Sequence, residues 1–147
     1  MFEGAMQLSL DAKGRIAIPA RHRDALAPEG APIVLTAHPE HCLMVYPVQA
    51  WEPIRARLAA MPGMDAARSK LRRLLMGMAT EETLDASGRV LLAPAQRQWA
   101  NLEKQVWLVG QGSHFELWSD ADWQRQHAAM DEITPEQLSA AFADVVF

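Results

Sequence analysis

Alternating apolar and polar positions near the N-terminus predict a β-hairpin around a tight turn. Apolar residues recur at every second position on both sides of a polar stretch, at Leu8, Leu10, Ile16 and Ile18. The stretch between them, DAKG at residues 11–14, has the composition of a turn. We assign turn-shaping roles to Asp11, whose carboxylate can accept local backbone hydrogen bonds, and to Gly14, which suits a left-handed backbone position.

The same pattern returns in the second half of the chain. LDAKGRI at residues 10–16 is matched by LDASGRV at residues 84–90, and each is followed by an apolar run, a proline and a polar stretch. The turn-shaping roles pass to Asp85 and Gly88 in the second copy. Self-similarity of this kind indicates two copies of one structural unit.

The similarity continues through the rest of each half. Residues 31–51 in the first half correspond to residues 104–123 in the second. Each half is predicted to form a hairpin, a short helix or turn, a strand, a loop, a strand and a helix. In the second half, Ser119 is expected to cap the helix, with Trp118 and Trp123 packed together as a hydrophobic staple.

Two further helices are predicted outside the repeated elements. Residues 66–79 combine apolar and basic positions at helical spacing, which favours a connecting helix packed on the strands over a membrane-surface helix. Residues 134–137, TPEQ, form a capping box with proline at the first helical position. The apolar end that follows predicts contact with a neighbouring subunit, through Val145, Val146 and Phe147.

These patterns divide the chain into four segments. A first module covers residues 5–52, a connecting helical segment 53–80, a second module 81–124 and a C-terminal helix 125–147.

Composition restricts the class of protein. The chain has 147 residues, half of them hydrophobic, which suits one compact unit or two closely packed halves. It contains neither an apolar run long enough to span a bilayer nor a signal-peptide core, so a soluble protein without membrane contact is expected. Cys42 is the single cysteine, and we expect a buried thiol in the reducing cytosol.

Charge is distributed unevenly along the chain. The net charge is −4, but residues 1–75 hold ten Lys and Arg against seven Asp and Glu, whereas residues 76–147 hold four against eleven. Any anion-binding function must therefore be local. A long cationic side chain follows each turn, Arg15 in the first copy and Arg89 in the second, and Lys13 lies beside Arg15. The geometry of the turns does not require any of these cations. They are either ordinary solubilising residues or part of an anion-binding site.

The sequence offers little support for an enzyme. Five histidines are present, but there is no HExxH motif, no nucleophile elbow and no glycine-rich phosphate loop. The segment from His38 to His41 resembles a metal-binding pair, yet further ligands are missing and a strand-connecting loop explains it more simply. We predict no catalytic residue, no metal site, no cofactor and no small-molecule substrate.

The two Asp-x-x-Gly-Arg motifs, together with VWLVGQGSHFELW at residues 106–118, resemble the MraZ family of bacterial regulators. The resemblance covers about residues 1–142. It implies an α+β, mainly β fold in which two SpoVT-AbrB-type modules form a pseudo-twofold, double-split β-barrel with peripheral helices. It also implies protomers that assemble into a homo-oligomeric ring.

The functional expectation comes from the same resemblance. It implies sequence-specific binding of double-stranded DNA at tandem promoter repeats, repression of the division and cell-wall gene cluster, and a cytoplasmic, nucleoid-associated location. The matched positions assign DNA binding to Arg15 and Arg89, with Lys13 beside the first and Ser87 at the equivalent place in the second turn. Because Ser87 replaces a lysine and fewer basic residues follow the second turn, we expect the first copy to make the stronger contact.

Two alternatives remain open. The chain could form a structural or protein-interaction ring without specific DNA binding. A DNA-binding assay with Arg15 replaced would distinguish this ring from a DNA-binding regulator. A DNA-binding antitoxin, as in some AbrB-type relatives, is disfavoured because a second full module stands where a toxin-wrapping tail would be expected.

Overall fold

The computed structural model describes residues 1–63 and 65–145, so Val146 and Phe147 of the predicted apolar end lie outside the described residues. The first half forms β1 (Ala5–Ser9), β2 (Arg15–Ala17), α1 (Ala20–Leu26), β3 (Ile33–Ala37), β4 (Leu43–Pro47), α2 (Val48–Ala60) and α3 (Ala66–Leu75). The second half forms β5 (Thr80–Glu82), β6 (Arg89–Leu91), α4 (Pro94–Trp99), β7 (Gln105–Gly110), β8 (Phe115–Ser119), α5 (Asp120–Ala129) and α6 (Pro135–Ala141). Short 3-10 turns occur at Pro28–Gly30 and Met130–Glu132.

The strands form a six-stranded antiparallel sheet, in the order β1-β7-β8-β4-β3-β5, and a two-stranded ribbon of β2 and β6. Each half contributes a hairpin, β3–β4 or β7–β8, and the hairpins join through β4 and β8. The α+β, mainly β class is confirmed. The described strands leave β1 and β5 as open edges of the large sheet, so their pairing does not confirm a closed, double-split barrel.

The predicted hairpin at each Asp-x-x-Gly-Arg turn is wrong. The two strands that flank the first turn separate: Leu8 on β1 lies opposite Val106 on β7, and Ile16 on β2 lies opposite Val90 on β6. The second turn behaves in the same way, because β5 pairs with β3 and β6 with β2. Apolar alternation defines which face of a strand is buried but not which strand is its partner. The two halves therefore exchange strands.

The main core lies between the ribbon and one face of the large sheet. Its central residues are completely or almost completely buried and come from both halves: Ile16, Ile18, Leu35, Val45, Val90, Leu92, Leu108 and Leu117. The alternate residues of the large-sheet strands face α2 and α5 on the other side of that sheet. Trp51 packs there against Tyr46, and Trp123 packs against Trp118. The ribbon and the two helices thus occupy opposite sides of the large sheet.

Local helix signals in the sequence were accurate. Ser119 Oγ accepts a hydrogen bond from Asp122 N at 3.0 Å, which confirms the cap of α5. The box at the start of α6 is also confirmed, because Thr134 Oγ1 accepts from Gln137 N at 3.1 Å and Gln137 Oε1 accepts from Thr134 N at 3.0 Å. These hydrogen bonds join residues only three apart, so the sequence alone specifies them.

The connecting helix is confirmed, although α3 ends at Leu75 and not at residue 79. Thr36 on β3 donates its hydroxyl hydrogen to the Leu75 carbonyl at 2.6 Å, and Leu74 packs against the main core. The helix therefore docks on the strands, as expected. None of the helices in the described part of the chain combines the length and apolar character that crossing a membrane requires.

Candidate nucleic-acid interface

The two-stranded ribbon brings the two motif arginines to one surface. Arg15 lies opposite Leu91, and Arg89 lies opposite Ala17. The central pair of the ribbon points into the core, so these four flanking residues point outward, with Leu91 47% exposed. Arg15 and Arg89 are diagonal neighbours across the strands, a spacing of about 7–8 Å that long side chains can bridge. Two motifs far apart in the sequence thus form one small, exposed face.

The first turn is closed by the carboxylate of Asp11. Its Oδ1 accepts hydrogen bonds from the backbone N–H groups of Lys13 and Arg15, both at 2.9 Å. The Gly14 N–H donates to the Asp11 carbonyl at 3.0 Å, and Gly14 has a left-handed φ of 84°. Lys13 is exposed at the tip of the turn.

The second turn repeats this arrangement. Asp85 Oδ1 accepts from the N–H groups of Ser87 and Arg89, both at 2.9 Å, and Gly88 has a φ of 74°. Ser87 is exposed at the position of Lys13, so the second turn presents a hydroxyl group where the first presents a cation. Its contribution to the turn comes from its backbone.

Each aspartate also holds the arginine of its own motif. Arg15 Nε donates to Asp11 Oδ2 at 2.8 Å, and Arg89 Nε donates to Asp85 Oδ2 at the same distance. Across the described residues, the terminal guanidinium nitrogens of both arginines have no hydrogen-bond partner. These are nitrogens that can make paired contacts with a phosphate or a guanine edge. The Arg15 side chain is 24% exposed and that of Arg89 is 39% exposed.

The aspartates are ionised because the turns favour their charged form. The hydrogen bond from the Arg15 backbone N–H is the largest cause that lowers the pKa of Asp11, and the Arg89 N–H lowers the pKa of Asp85 in the same way. Each motif therefore contains an ion pair with no net charge. A net positive charge at the ribbon must come from other residues.

Two arginines that we did not select from the sequence supply part of that charge. A β-carbon placed on Gly14 would lie 2.8 Å from Arg97 Cζ, so the Arg97 guanidinium covers the first turn. Arg23 covers Gly88 in the second turn and also donates from Nε to the Ile18 carbonyl at 2.8 Å. Each turn is thus covered by an arginine from the other half.

A sequence signal for this pair does exist. Arg23 and Arg97 each follow the turn glycine of their own copy at the same spacing. Their contact with the opposite turn could not be read from the sequence, because it depends on the strand exchange. The exchange continues at the backbone, where Ile18 N donates to the Gly88 carbonyl at 2.8 Å and Leu92 N donates to the Gly14 carbonyl at 2.9 Å. The two turns are therefore related by an approximate local twofold.

Comparison with known families also finds two repeats in the chain. The family model MraZ, described as "MraZ protein, putative antitoxin-like", matches the chain twice, at residues 1–74 and 75–144. This chain belongs to the MraZ family. The resemblance seen in the turn motifs is thereby confirmed, and two MraZ repeats cover almost the whole chain.

Several individual MraZ proteins are similar over nearly their full length. A protein named "Transcriptional regulator MraZ" from Aromatoleum aromaticum is 68% identical over 142 residues, which is 97% of each chain. Proteins of the same name from Azoarcus sp. strain BH72 and Dechloromonas aromatica are 62% and 50% identical, each over 99% of both chains. The MraZ relatives are thus named as transcriptional regulators and not as enzymes, which supports a role in transcription regulation.

Proposed function

We propose that this chain is a transcriptional regulator that binds specific sequences of double-stranded DNA, and that the β2–β6 ribbon enters the major groove. The observation that carries the proposal is the convergence of Arg15 and Arg89 on one exposed face of that ribbon. The major groove of B-DNA admits a two-stranded β-ribbon, and base edges there distinguish all four base pairs. Ribbons of this kind are an established means of reading DNA.

The residues of the ribbon have complementary roles in this proposal. Among the described residues the aspartates contact only Nε, so the terminal nitrogens of Arg15 and Arg89 can donate to O6 and N7 of guanine. The ion pairs hold both side chains in place before DNA arrives, which reduces the conformational entropy cost of binding. Leu91 and Ala17 lie beside the arginines on the same face and suit apolar contact with a thymine methyl group.

The remaining cations are assigned to the phosphate backbone. Lys13 and Arg97 lie at the first turn and Arg23 at the second. Phosphate contacts position a protein on the duplex, and they make binding sensitive to salt. Because only the first turn carries a lysine, we propose the stronger contact there, with Ser87 limited to a polar contact.

Binding by one acidic protomer would be weak, so the proposal includes assembly. A homo-oligomeric ring, as the family resemblance implies, would present several ribbons to tandem promoter repeats and raise the effective concentration of each contact. We propose that the pseudo-twofold protomer closes as a double-split barrel within such a ring. Repression of the division and cell-wall gene cluster and association with the nucleoid belong to the same proposal.

The test is a binding isotherm on the tandem-repeat DNA upstream of the protein's own gene. Each bidentate arginine–guanine pair contributes about 1–3 kcal/mol of discrimination, so Arg15→Ala and Arg89→Ala should each weaken binding roughly 5- to 150-fold. Arg57→Ala is the matched control, because Arg57 is an exposed arginine on α2, on the opposite side of the sheet. Fluorescence anisotropy measures affinity, and light scattering checks that assembly is unchanged.

Two results would count against the proposal. If wild-type protein assembles but binds the DNA no better than unrelated duplex, the ring serves a structural or protein-interaction role. If Arg15→Ala and Arg89→Ala behave like Arg57→Ala, DNA binding uses another surface.

A further inference from the structure

A cluster of metal-ligand side chains lies on the side of the large sheet away from the ribbon. His38 and Cys42 are the closing pair of the β3–β4 loop, since the His38 N–H donates to the Cys42 carbonyl at 2.9 Å. Glu116 lies on β8, opposite Met44 in the neighbouring strand. A ring nitrogen of His38, Cys42 Sγ and a carboxylate oxygen of Glu116 all lie within 4.8 Å of one another.

We propose that His38, Cys42 and Glu116 bind a divalent cation of the zinc class, which would join the two repeats at the seam between β4 and β8. Zinc accepts this combination of imidazole nitrogen, thiolate and carboxylate oxygen, and three protein ligands leave a fourth position for water. Tetrahedral bonds of about 2.0–2.3 Å place ligand atoms roughly 3–4 Å apart. The three ligand atoms, all within 4.8 Å of one another, therefore need only a modest contraction to reach this geometry.

Acidic side chains surround the cluster, whereas burial of the thiol opposes its ionisation. Burial, with added effects from the charges of Glu116, Glu40 and Asp122, raises the pKa of the Cys42 thiol far above its ordinary value. Asp122 Oδ2 is buried and has no hydrogen-bond partner in the part of the chain that the structure describes. Asp122 pairs with Arg125 through its other oxygen, so the negative charge that a divalent ion would compensate comes from Glu116 and Glu40. Coordination would also have to offset the cost of ionising the buried thiol.

Existing hydrogen bonds limit how tightly the ion binds. His38 Nδ1 accepts from the Glu40 N–H at 3.0 Å, and a neutral imidazole has one lone pair for either that bond or a metal. Glu116 Oε1 accepts from Trp118 Nε1 at 3.1 Å, but its second carboxylate oxygen can still coordinate. Binding also releases the Cys42 proton, so affinity should increase as pH rises.

The neighbouring histidine in the loop is not part of the cluster. His41 stacks on Trp99 with ring centroids 4.0 Å apart, and its Nδ1 lies 3.1 Å from the Trp99 carbonyl oxygen. Residues 38–41 lie in the loop between β3 and β4, as the sequence predicted. The third ligand comes from the other repeat and was invisible in the local sequence.

The proposal can be tested by titrating metal-free, full-length protein with Co²⁺ and, in competition with a chromophoric chelator, with Zn²⁺. We expect one equivalent per chain, a thiolate-to-cobalt charge-transfer band and a thermal midpoint that rises with Zn²⁺ concentration. His38→Ala and Glu116→Gln should each weaken binding at least tenfold. His41→Asn is the matched control within the same loop, and it should bind metal like the wild type.

Glutamine at position 116 keeps the oxygen that accepts from Trp118, so this variant tests coordination without removing that hydrogen bond. Circular dichroism checks that each variant is folded. The proposal is overturned if wild-type protein shows no stoichiometric charge-transfer band. It is also overturned if folded Glu116→Gln binds as tightly as the wild type, because the thiol then binds metal without the cluster.

Discussion

Backbone geometry and close packing explain the two turn glycines at the scale of single residues. Gly14 combines a left-handed φ of 84° with the Arg97 guanidinium directly above it. The need for glycine in the turn could be predicted from the sequence, because an Asp three residues before a Gly is a local signal. The arginine above it could not, since Arg97 reaches the turn only through the strand exchange.

Gly14→Ala should therefore have two separate effects. The left-handed backbone should cost about 1–2 kcal/mol of unfolding free energy, measured by urea denaturation. The added β-carbon should also displace the Arg97 guanidinium and weaken DNA binding. Gly4→Ala is the control, because Gly4 has a similar φ of 87° but open space around it. Equally weakened DNA binding in both variants would show that the position of Arg97 over the turn is unimportant.

The turn aspartates predict a pH dependence with a definite sign. Backbone hydrogen bonds lower the pKa of Asp11 and Asp85 in the folded state, so their charged forms stabilise the fold. This stabilisation is present above the ordinary carboxyl pKa of about 3.9 and is lost as pH falls through the lowered folded values. We expect the double variant Asp11→Asn/Asp85→Asn to be less stable than wild type at pH 7.

Urea unfolding at pH 7 and at intervals from pH 4 to pH 2 measures this effect. The difference between the two proteins should shrink across the acidic range, because the wild-type carboxylates become protonated there. A difference that stays constant at all pH values would mean that the charges of the turn aspartates do not stabilise the fold.

At the scale of elements, the ribbon shows what the alternation of apolar and polar residues along a strand can and cannot predict. The buried positions Ile16 and Val90 and the outward arginines follow from period-two patterning in each copy. The partner of each strand does not follow from this pattern. Pairing β2 with β1 or pairing β2 with β6 would bury the same residues of β2. The capped helices were predictable because their deciding hydrogen bonds are local.

The strand exchange gives each turn a cation from the opposite half, and this can be measured through salt dependence. In the proposed complex, Arg97→Ala should weaken DNA binding at the first turn and Arg23→Ala at the second. Each variant would leave one phosphate per protomer without its cation. The slope of log affinity against log salt should fall by about one for each phosphate that is no longer neutralised. Arg57→Ala on α2 should leave the slope unchanged. If all three slopes match the wild type, the covering arginines only pack on the glycines.

At the scale of the whole molecule, the two repeats share one large sheet and one main core. Each repeat supplies an edge strand to the other, since β1 pairs with β7 and β5 with β3. The main core also takes residues from both halves, among them Ile16, Ile18, Val90 and Leu92. Sequence comparison divides the chain into two matching parts, but the structure joins them through the large sheet, the ribbon and the main core.

A chain divided after Gly77, between α3 and β5, should therefore fold only when both parts are present. Each buried Ile, Val or Leu side chain contributes about 1.5–3 kcal/mol, so exposing four across the ribbon removes as much as the 5–15 kcal/mol that stabilises a typical domain. Residues 1–77 alone should be unfolded or should self-associate, because β1 and β2 then lack their partners β7 and β6. Mixing with residues 78–147 should restore a one-to-one complex with a cooperative thermal transition, measured by calorimetry and mass photometry. A stable monomer of residues 1–77 would instead mean that β1 and β2 can close as the local hairpin that their sequence pattern predicts.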